Sequence, residues 1–375
     1  MRAAVTLLAA ALSAHSPAVA QAPGSRAKDA YSRAVALETE GKHAEALVLL
    51  WEAAGLAPDD GDIQNRLGEA LQRIGALDAA IAAYRQALGA RPEFRKAANN
   101  LILTLVAAGR GPEAVERARK AVNSSPHDPD AHFTLGLAQS EQDVEGAMGS
   151  FRRVLELDPR HALARYNLGL VLKRADRMSE AVAELRRAIE IQPRAEAHYA
   201  LGVIYWHQGD LNAAAGALRA ATAADAGYAD AHYTLGAVLN AQGDRKGAAG
   251  SLRRALALRP DLAGAHYSLS RVLQASGDAD GAKAHLAEAE ALRRRAHLEQ
   301  EARAWTSTGS AKLEAGDVTG AVDHFRRAVG VFEPYAPAHY QLGLALMRLG
   351  QRDASRAAFA RARALNPSLV PPGDP

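Results

Sequence analysis

The hexamer AHYTLG at residues 231–236 decides how this sequence folds. Close copies stand at 131 (AHFTLG), 197 (AHYALG), 265 (AHYSLS) and 338 (AHYQLG), with a near copy, ARYNLG, at 164. Successive copies lie 33, 33, 34, 34 and 73 residues apart, the last interval being 34 plus 39. Five histidines recur with the hexamer, His132, His198, His232, His266 and His339, each followed by Tyr or Phe. The question is whether they form a ladder of chemical sites or follow from architecture. A fixed period of this length is the mark of a stacked repeat array.

Extended in both directions, the frame gives ten units, starting at Ala27, Gly61, Arg95, Pro129, Ala162, Ala195, Ala229, Ala263, Ala302 and Ala336. Position 7 is usually Leu (Leu67, Leu101, Leu135, Leu168, Leu201, Leu235, Leu269, Leu342), and position 8 is usually Gly. A mid-unit glycine returns as Gly41, Gly75, Gly109, Gly209, Gly243, Gly277, Gly316 and Gly350. Alanine dominates positions 20 and 27, and Pro58, Pro92, Pro126, Pro159, Pro193, Pro260 and Pro367 close their units. Apolar spacings of three and four predict two amphipathic helices per unit. The glycine supplies a left-handed C-cap between them, and proline stops the second helix. Small residues let helix axes approach closely, and one unit cannot bury its apolar face without neighbours.

The pattern resembles the tetratricopeptide repeat, W-x2-L-G-x2-Y followed by A-x3-F and then A and P. The resemblance covers residues 27–369 and implies an all-α, right-handed superhelical α-solenoid of about ten helix-turn-helix units. Departures are visible: His replaces the Trp in five units, and Leu usually replaces the Tyr, with Tyr205 the exception. Unit four loses one residue and its turn glycine near Gln142–Asp143, while Ala226 and Arg294 stand where proline is expected in units six and eight. Units eight and nine are separated by five extra residues, His297–Glu301, and no Gly or Pro occurs between Ala282 and Thr308. This predicts an over-long second helix in unit eight, with a disordered linker as the alternative. The expected organisation is units one to eight over 27–294, a helical extension over 295–301, units nine and ten over 302–369, and a Pro-rich tail at 370–375.

Composition agrees with close-packed helices: 48% of the 375 residues are hydrophobic but only 5% are aromatic. A net charge of +3 is nearly balanced and offers no polybasic tract for nucleic acid. Residues 1–20 read as a secretory signal peptide, with Arg2, a short apolar run over 3–14 and a small-residue cleavage site at Ala18–Ala20. A membrane anchor is the alternative, but the run falls short of the ~20 apolar residues that span a bilayer. A short linker, 21–26, follows, and the expected location is the periplasm or extracellular space. The chain contains no cysteine, which excludes disulfides, thiolate metal sites, cysteine nucleophiles and a lipidated cysteine.

No catalytic constellation is present: there is no G-x-S-x-G, H-E-x-x-H, phosphate-binding glycine loop or D-x-D-x-D-G loop. Paired carboxylates such as Asp59–Asp60 fall in turns, where helix N-capping accounts for them. The histidines all occupy position 4 of a first helix, in translated copies that point the same way. Neighbouring helices stand ~8–10 Å apart, while a shared zinc needs both nitrogens within about 2.1 Å of it. The expectation is a packing role, with no metal and no cofactor.

The sharper candidate is position 5, one residue and ~100° further round the helix. It holds Tyr31, Phe133, Tyr166, Tyr199, Tyr233, Tyr267 and Tyr340. The resemblance implies that positions 2, 5, 9, 12 and 13 line a concave groove. There the aromatics would be joined by Leu137, Leu170, Val203, Lys173, Arg174, Trp206, His207, Asn240, Arg271 and Gln274. Such a stripe suits an extended protein segment; the alternative is that the rings only cap the core. The family's two-carboxylate clamp is not reproduced, since its places hold Tyr31, Val35, Arg66, Lys96 and Asn100 and only Lys96 fits. An asparagine ladder is absent too, position 6 carrying Asn only at 100 and 167. Arginine doublets at 152–153, 186–187, 253–254 and 326–327 lie on the outer side of second helices, as a solvated face or a weak anionic-surface contact. The expected function is a non-catalytic scaffold in envelope assembly or secretion, binding an unidentified protein. The alternatives are an adaptor in exopolysaccharide export and, third, the repeat region of a glycosyltransferase-like protein.

Overall fold

The computed structural model describes residues 23–367 and 369; the expected signal peptide and the tail at 370–375 lie outside these. The described residues form nineteen α-helices. They fall into two compact bodies, parting between residues 259 and 260.

The first body contains seven helical hairpins. In chain order they are α1 (Pro23–Thr39) with α2 (His43–Leu56), α3 (Gly61–Arg73) with α4 (Leu77–Ala90), and α5 (Arg95–Ala107) with α6 (Gly111–Ser124). Next come α7 (Pro129–Gln139) with α8 (Val144–Leu157), α9 (Ala162–Arg174) with α10 (Met178–Ile191), α11 (Ala195–His207) with α12 (Leu211–Ala224), and α13 (Ala229–Ala241) with α14 (Arg245–Leu258). Each helix packs on the next in sequence. Helix α1 begins at Pro23, inside the stretch expected to be linker, because proline at a helix start forfeits no hydrogen bond.

The second body contains α15 (Ala263–Ala275), α16 (Ala279–Glu314), α17 (Val318–Val331), α18 (Ala336–Arg348) and α19 (Arg352–Leu365). Helix α16 runs for 36 residues without a break. It is the second helix of repeat eight and the first helix of repeat nine in one rod, so residues 295–301 and Arg294 are helical and no turn separates the two repeats. With neither glycine nor proline over that span, nothing in the backbone chemistry ends the helix.

The periodic residues can now be assigned physical tasks. All eight mid-unit glycines adopt positive φ, between 71° and 86°. In repeat five Asp176 takes the same left-handed conformation, at φ 60°, as a short polar side chain tolerates best. The next residue is often Asp, which caps the second helix: Asp210, Asp244, Asp278 and Asp317 accept from the backbone N–H three residues on, at 2.8–2.9 Å. Asp60 likewise caps α3, accepting from Asp62 and Ile63. Glycine at position 8 is a matter of space. A Cβ at Gly202 would stand 2.7 Å from Leu218 Cγ, and one at Gly68 2.5 Å from the Tyr84 ring. The partner is the position-24 side chain of the same hairpin, and Tyr84, Phe151 and Phe325 there are wholly buried.

Repeat four lacks both the glycine and a full-length first helix, α7 having 11 residues where most first helices have 13. Its turn is held from the next repeat instead. Arg174 donates to the Ser140 carbonyl at 2.7 Å and to the Glu141 carbonyl at 2.8 Å. The guanidinium fork satisfies carbonyls that the shortened helix leaves open.

Candidate partner-binding face

The position-4 side chains share one geometry. His132 donates Nε2–H to the Pro126 carbonyl at 2.9 Å, and His232 to Ala226 at 3.3 Å. In the second body His266 donates to Pro260 at 3.0 Å and His339 to Glu333 at 2.8 Å. Gln64 and Arg165 make the same bond to Pro58 and Pro159, at 3.1 and 2.7 Å. A carbonyl only accepts, so each of these imidazoles carries its proton on Nε2. The side chain thereby ties the start of a repeat to the turn that precedes it. His198 makes no such bond, because the turn before α11 has three residues where that before α13 has four. Burial pushes the His198 and His232 imidazoles below their ordinary range. Among the described residues no three His, Cys, Asp or Glu side chains converge as metal ligands would.

The position-5 rings behave differently. Phe133, Tyr166, Tyr199 and Tyr233, on the first helices α7, α9, α11 and α13, are each half-buried. Two of them pack on the following repeat. The Phe133 ring lies 5.0 Å from His161, the residue that caps α9, and Tyr199 lies 5.1 Å from Tyr228, just before α13. Burial, then the nearby Tyr199 and Tyr166, push the Tyr228 phenol up to about 12. Tyr199 and Tyr228 thus form an aromatic pair that the position-5 frame does not contain, because Tyr228 sits in a turn. Leu170 and Lys173 are half-buried; Trp206, His207 and Asn240 are exposed, and the Trp206 and His207 rings meet edge-on at 6.5 Å. Arg174 is committed to the turn of repeat four, so its charge is not free to face a ligand.

The remaining candidates belong to the second body. Tyr267 is exposed and lies under the Arg293 guanidinium at 4.9 Å. Arg271 and Gln274 are exposed, and Tyr340 packs edge-on against Phe359 at 5.5 Å. The fourteen candidates therefore divide between the two bodies, and of the five successive aromatics from Phe133 to Tyr267 the first four lie in the first body.

The same positions in repeats one to three hold a polar network that sequence reading missed. Glu38, with a side chain only 5% exposed, accepts from Arg66 at 2.6 Å and Arg73 at 3.0 Å. Glu69 accepts from Lys96 at 2.7 Å, Asn65 at 3.1 Å and Asn100 at 3.2 Å. Burial alone would raise the Glu38 carboxyl, but the bonds from Arg73 and Arg66 outweigh it and hold it below its usual range. Residues that fail to make a carboxylate clamp thus carry internal carboxylates of their own. The signal was present: Glu38 and Glu69 stand at positions 12 and 9 of the frame.

The arginine doublets are largely spent on neighbours. Arg153 pairs with Glu156 and Arg187 with Glu184, while Arg186 and Arg327 lie over the Tyr205 and Trp305 rings.

Comparison with known proteins agrees with this architecture. Profiles of the tetratricopeptide repeat match residues 61–94, 138–204, 199–263, 267–337 and 336–369, together more than half of the chain. The chain belongs to the tetratricopeptide repeat family. Two curated relatives are each 27% identical: the human protein O-mannosyl-transferase TMTC3 over 159 residues and protein FlbA of Caulobacter vibrioides over 157. These matches cover 40% and 42% of this chain but only 17% and 26% of the relatives' own lengths. A tetratricopeptide repeat protein of Parabacteroides merdae shares the fold at a TM-score of 0.53 and 18% identity, over 67% of this chain and all of that one.

Proposed function

We propose that the protein is an exported, non-catalytic scaffold that holds an extended protein segment along the aromatic row of its first body, in cell-envelope assembly or secretion. The observation that carries this reading is the run of four half-buried rings, Phe133, Tyr166, Tyr199 and Tyr233, on successive first helices. Each ring is half-buried, and Phe133 and Tyr199 are also held by a ring of the next repeat, so the row presents apolar area at little cost in side-chain entropy. First helices at a spacing of about 10 Å would place one ring for every three residues of an extended chain, which rises ~3.3 Å per residue. Exposed Trp206 and half-buried Lys173 would flank that chain with one apolar and one cationic contact. Export rests on the signal-peptide pattern of residues 1–20.

Replacing Tyr199 and Tyr233 by Ala together is expected to abolish capture of the native partner by proximity labelling, with the helical circular dichroism unchanged. Undiminished labelling by the double variant would overturn the proposal. The mature N-terminus, read by mass spectrometry, is expected at Gln21.

A further inference from the structure

From the second repeat to the seventh, position 4 carries Gln64, Ala98, His132, Arg165, His198 and His232. Ala98 is the one that neither fills the space between repeats nor offers an N–H to the preceding turn. Three observations record the consequence. A cavity of about 680 Å³ opens beside Ala98, between the end of α4, α5, the end of α6 and the start of α7. Position 27, wholly buried as Ala87 and Ala221 at 0% exposure, is half-exposed as Ala121 at the cavity wall. The Pro92 carbonyl, counterpart of the Pro58, Pro126 and Pro159 carbonyls, receives no hydrogen bond among the described residues. The first repeat also has alanine here, Ala30, but no described repeat precedes it to form a cleft.

We infer that this cavity is a binding site for a small, planar aromatic N–H heterocycle bearing an acidic group, of the indole- or imidazole-carboxylate class. The ligand would stand where the missing side chain stands in the other repeats. Its ring N–H would donate to the Pro92 carbonyl, as His132 donates to Pro126. Its plane would cover the apolar wall of Leu88, Leu101, Ile102 and Ala121. The volume lies within the range of about 300–1,000 Å³ usual for small-molecule sites.

The acidic group follows from the rim. Arg117 and Lys120 line the opening, on the wall formed by α6. Their partners, Glu113 and Glu116, lie one turn back on the same helix at 3.1 and 2.6 Å. The Lys120–Glu116 pair is exposed and re-pairs readily with an incoming anion, and Glu113 keeps Arg85 and Arg110 when Arg117 turns to one. Arg95, also at the cavity, is paired to Asp128 and is the less available cation.

The test is calorimetric titration of the full chain with indole-3-acetate, indole and naphthalene-1-acetate. Wild type is expected to bind indole-3-acetate saturably at one site. Naphthalene-1-acetate, which lacks the N–H, is expected to bind about tenfold more weakly. Ala98→His refills the cleft and restores a donor to Pro92, and is expected to abolish binding. The rim variant R117Q/K120Q is expected to weaken indole-3-acetate while leaving indole unchanged. The groove variant Tyr199→Ala/Tyr233→Ala is expected to bind indole-3-acetate like wild type, which separates this site from the aromatic row. Absence of saturable binding by wild type at millimolar ligand, or equal binding by Ala98→His, overturns the inference. Should Ala98→His fail to fold, indole-3-acetate binding by R117Q/K120Q that equals wild type overturns it instead.

Discussion

At the scale of single residues, a few contacts repeat with so little variation that each can be tested once for the whole chain. Gly202 admits no Cβ, because one would stand 2.7 Å from Leu218 Cγ and 3.0 Å from its Cδ2. Gly202→Ala is expected to lower stability by about 1–3 kcal/mol in urea unfolding, since overpacking forces side chains off their rotamers. Adding Leu218→Ala should recover part of that loss, the signature of a shared contact in a double-mutant cycle. The position-4 tie predicts a contrast between two histidines. His232→Phe breaks the bond to Ala226 and is expected to cost about 0.5–1.5 kcal/mol, whereas His198→Phe has no such bond to lose. The His198 imidazole is depressed by burial, so its folded value lies below the ordinary one. Its contribution is therefore complete above the unfolded value of about 6.5 and is lost as pH falls through the depressed folded value. His198→Phe should flatten the stability profile on the acid side of neutrality.

At the scale of helices and turns, eight of the ten unit starts read from the hexamer begin a helix, because glycine conformation and apolar period are local properties, while Ala27 and Ala302 fall inside α1 and α16. All eight glycines expected to end a first helix have the left-handed backbone that the position demands. Asp176, which carries the same conformation without being glycine, could not be found by looking for glycine. Asp176→Gly is expected to stabilise by about 0.5–1 kcal/mol in thermal unfolding, as it relieves a left-handed L-residue. What stayed hidden was whatever depends on contacts between repeats. The Arg174 fork on repeat four and the place of Tyr228 beside Tyr199 involve residues about 30 positions apart, a separation that no local pattern reports. The Glu38 network is of the same kind, and it predicts an acid limb. Its carboxyl is held below the usual range, so its stabilisation is present above about pH 4.3 and is lost as pH falls through the lowered value. Glu38→Gln should remove that part of the acid transition, measured by circular dichroism between neutral and acidic pH.

At the scale of the whole molecule, stacked hairpins unfold through nearest-neighbour interfaces, and a long rod changes which neighbours are coupled. Helix α16 joins repeats eight and nine, and its middle residues, 293–297, are all exposed. Helical continuity there is maintained by backbone hydrogen bonds and by pairs such as Arg303–Glu299 at 2.6 Å. Ala296→Pro is expected to cost about 3 kcal/mol and to open a protease site near residue 296, read by limited proteolysis and mass spectrometry. The partner-binding reading places its determinants in the first body, so that variant should leave capture by the Tyr199–Tyr233 row intact. The aromatic row follows the period, whereas the cleft at Ala98 and the polar network of repeats one to three are places where a repeat differs from its neighbours.

The bond from position 4 to the preceding turn has a bearing on how such a chain can be rebuilt. Glutamine, arginine and histidine all serve it, since what is required is an N–H at a given reach and not a particular ring. Most junctions of the first body are therefore equivalent joints, across which a whole repeat can be duplicated, deleted or exchanged without redesign. Two junctions depart from this: the one before α11, shorter by one residue and lacking the bond at His198, and the one before α5, where Ala98 has no N–H to offer. A graft made at either would lack the tie, and the first body thus has two seams that are not interchangeable with the rest.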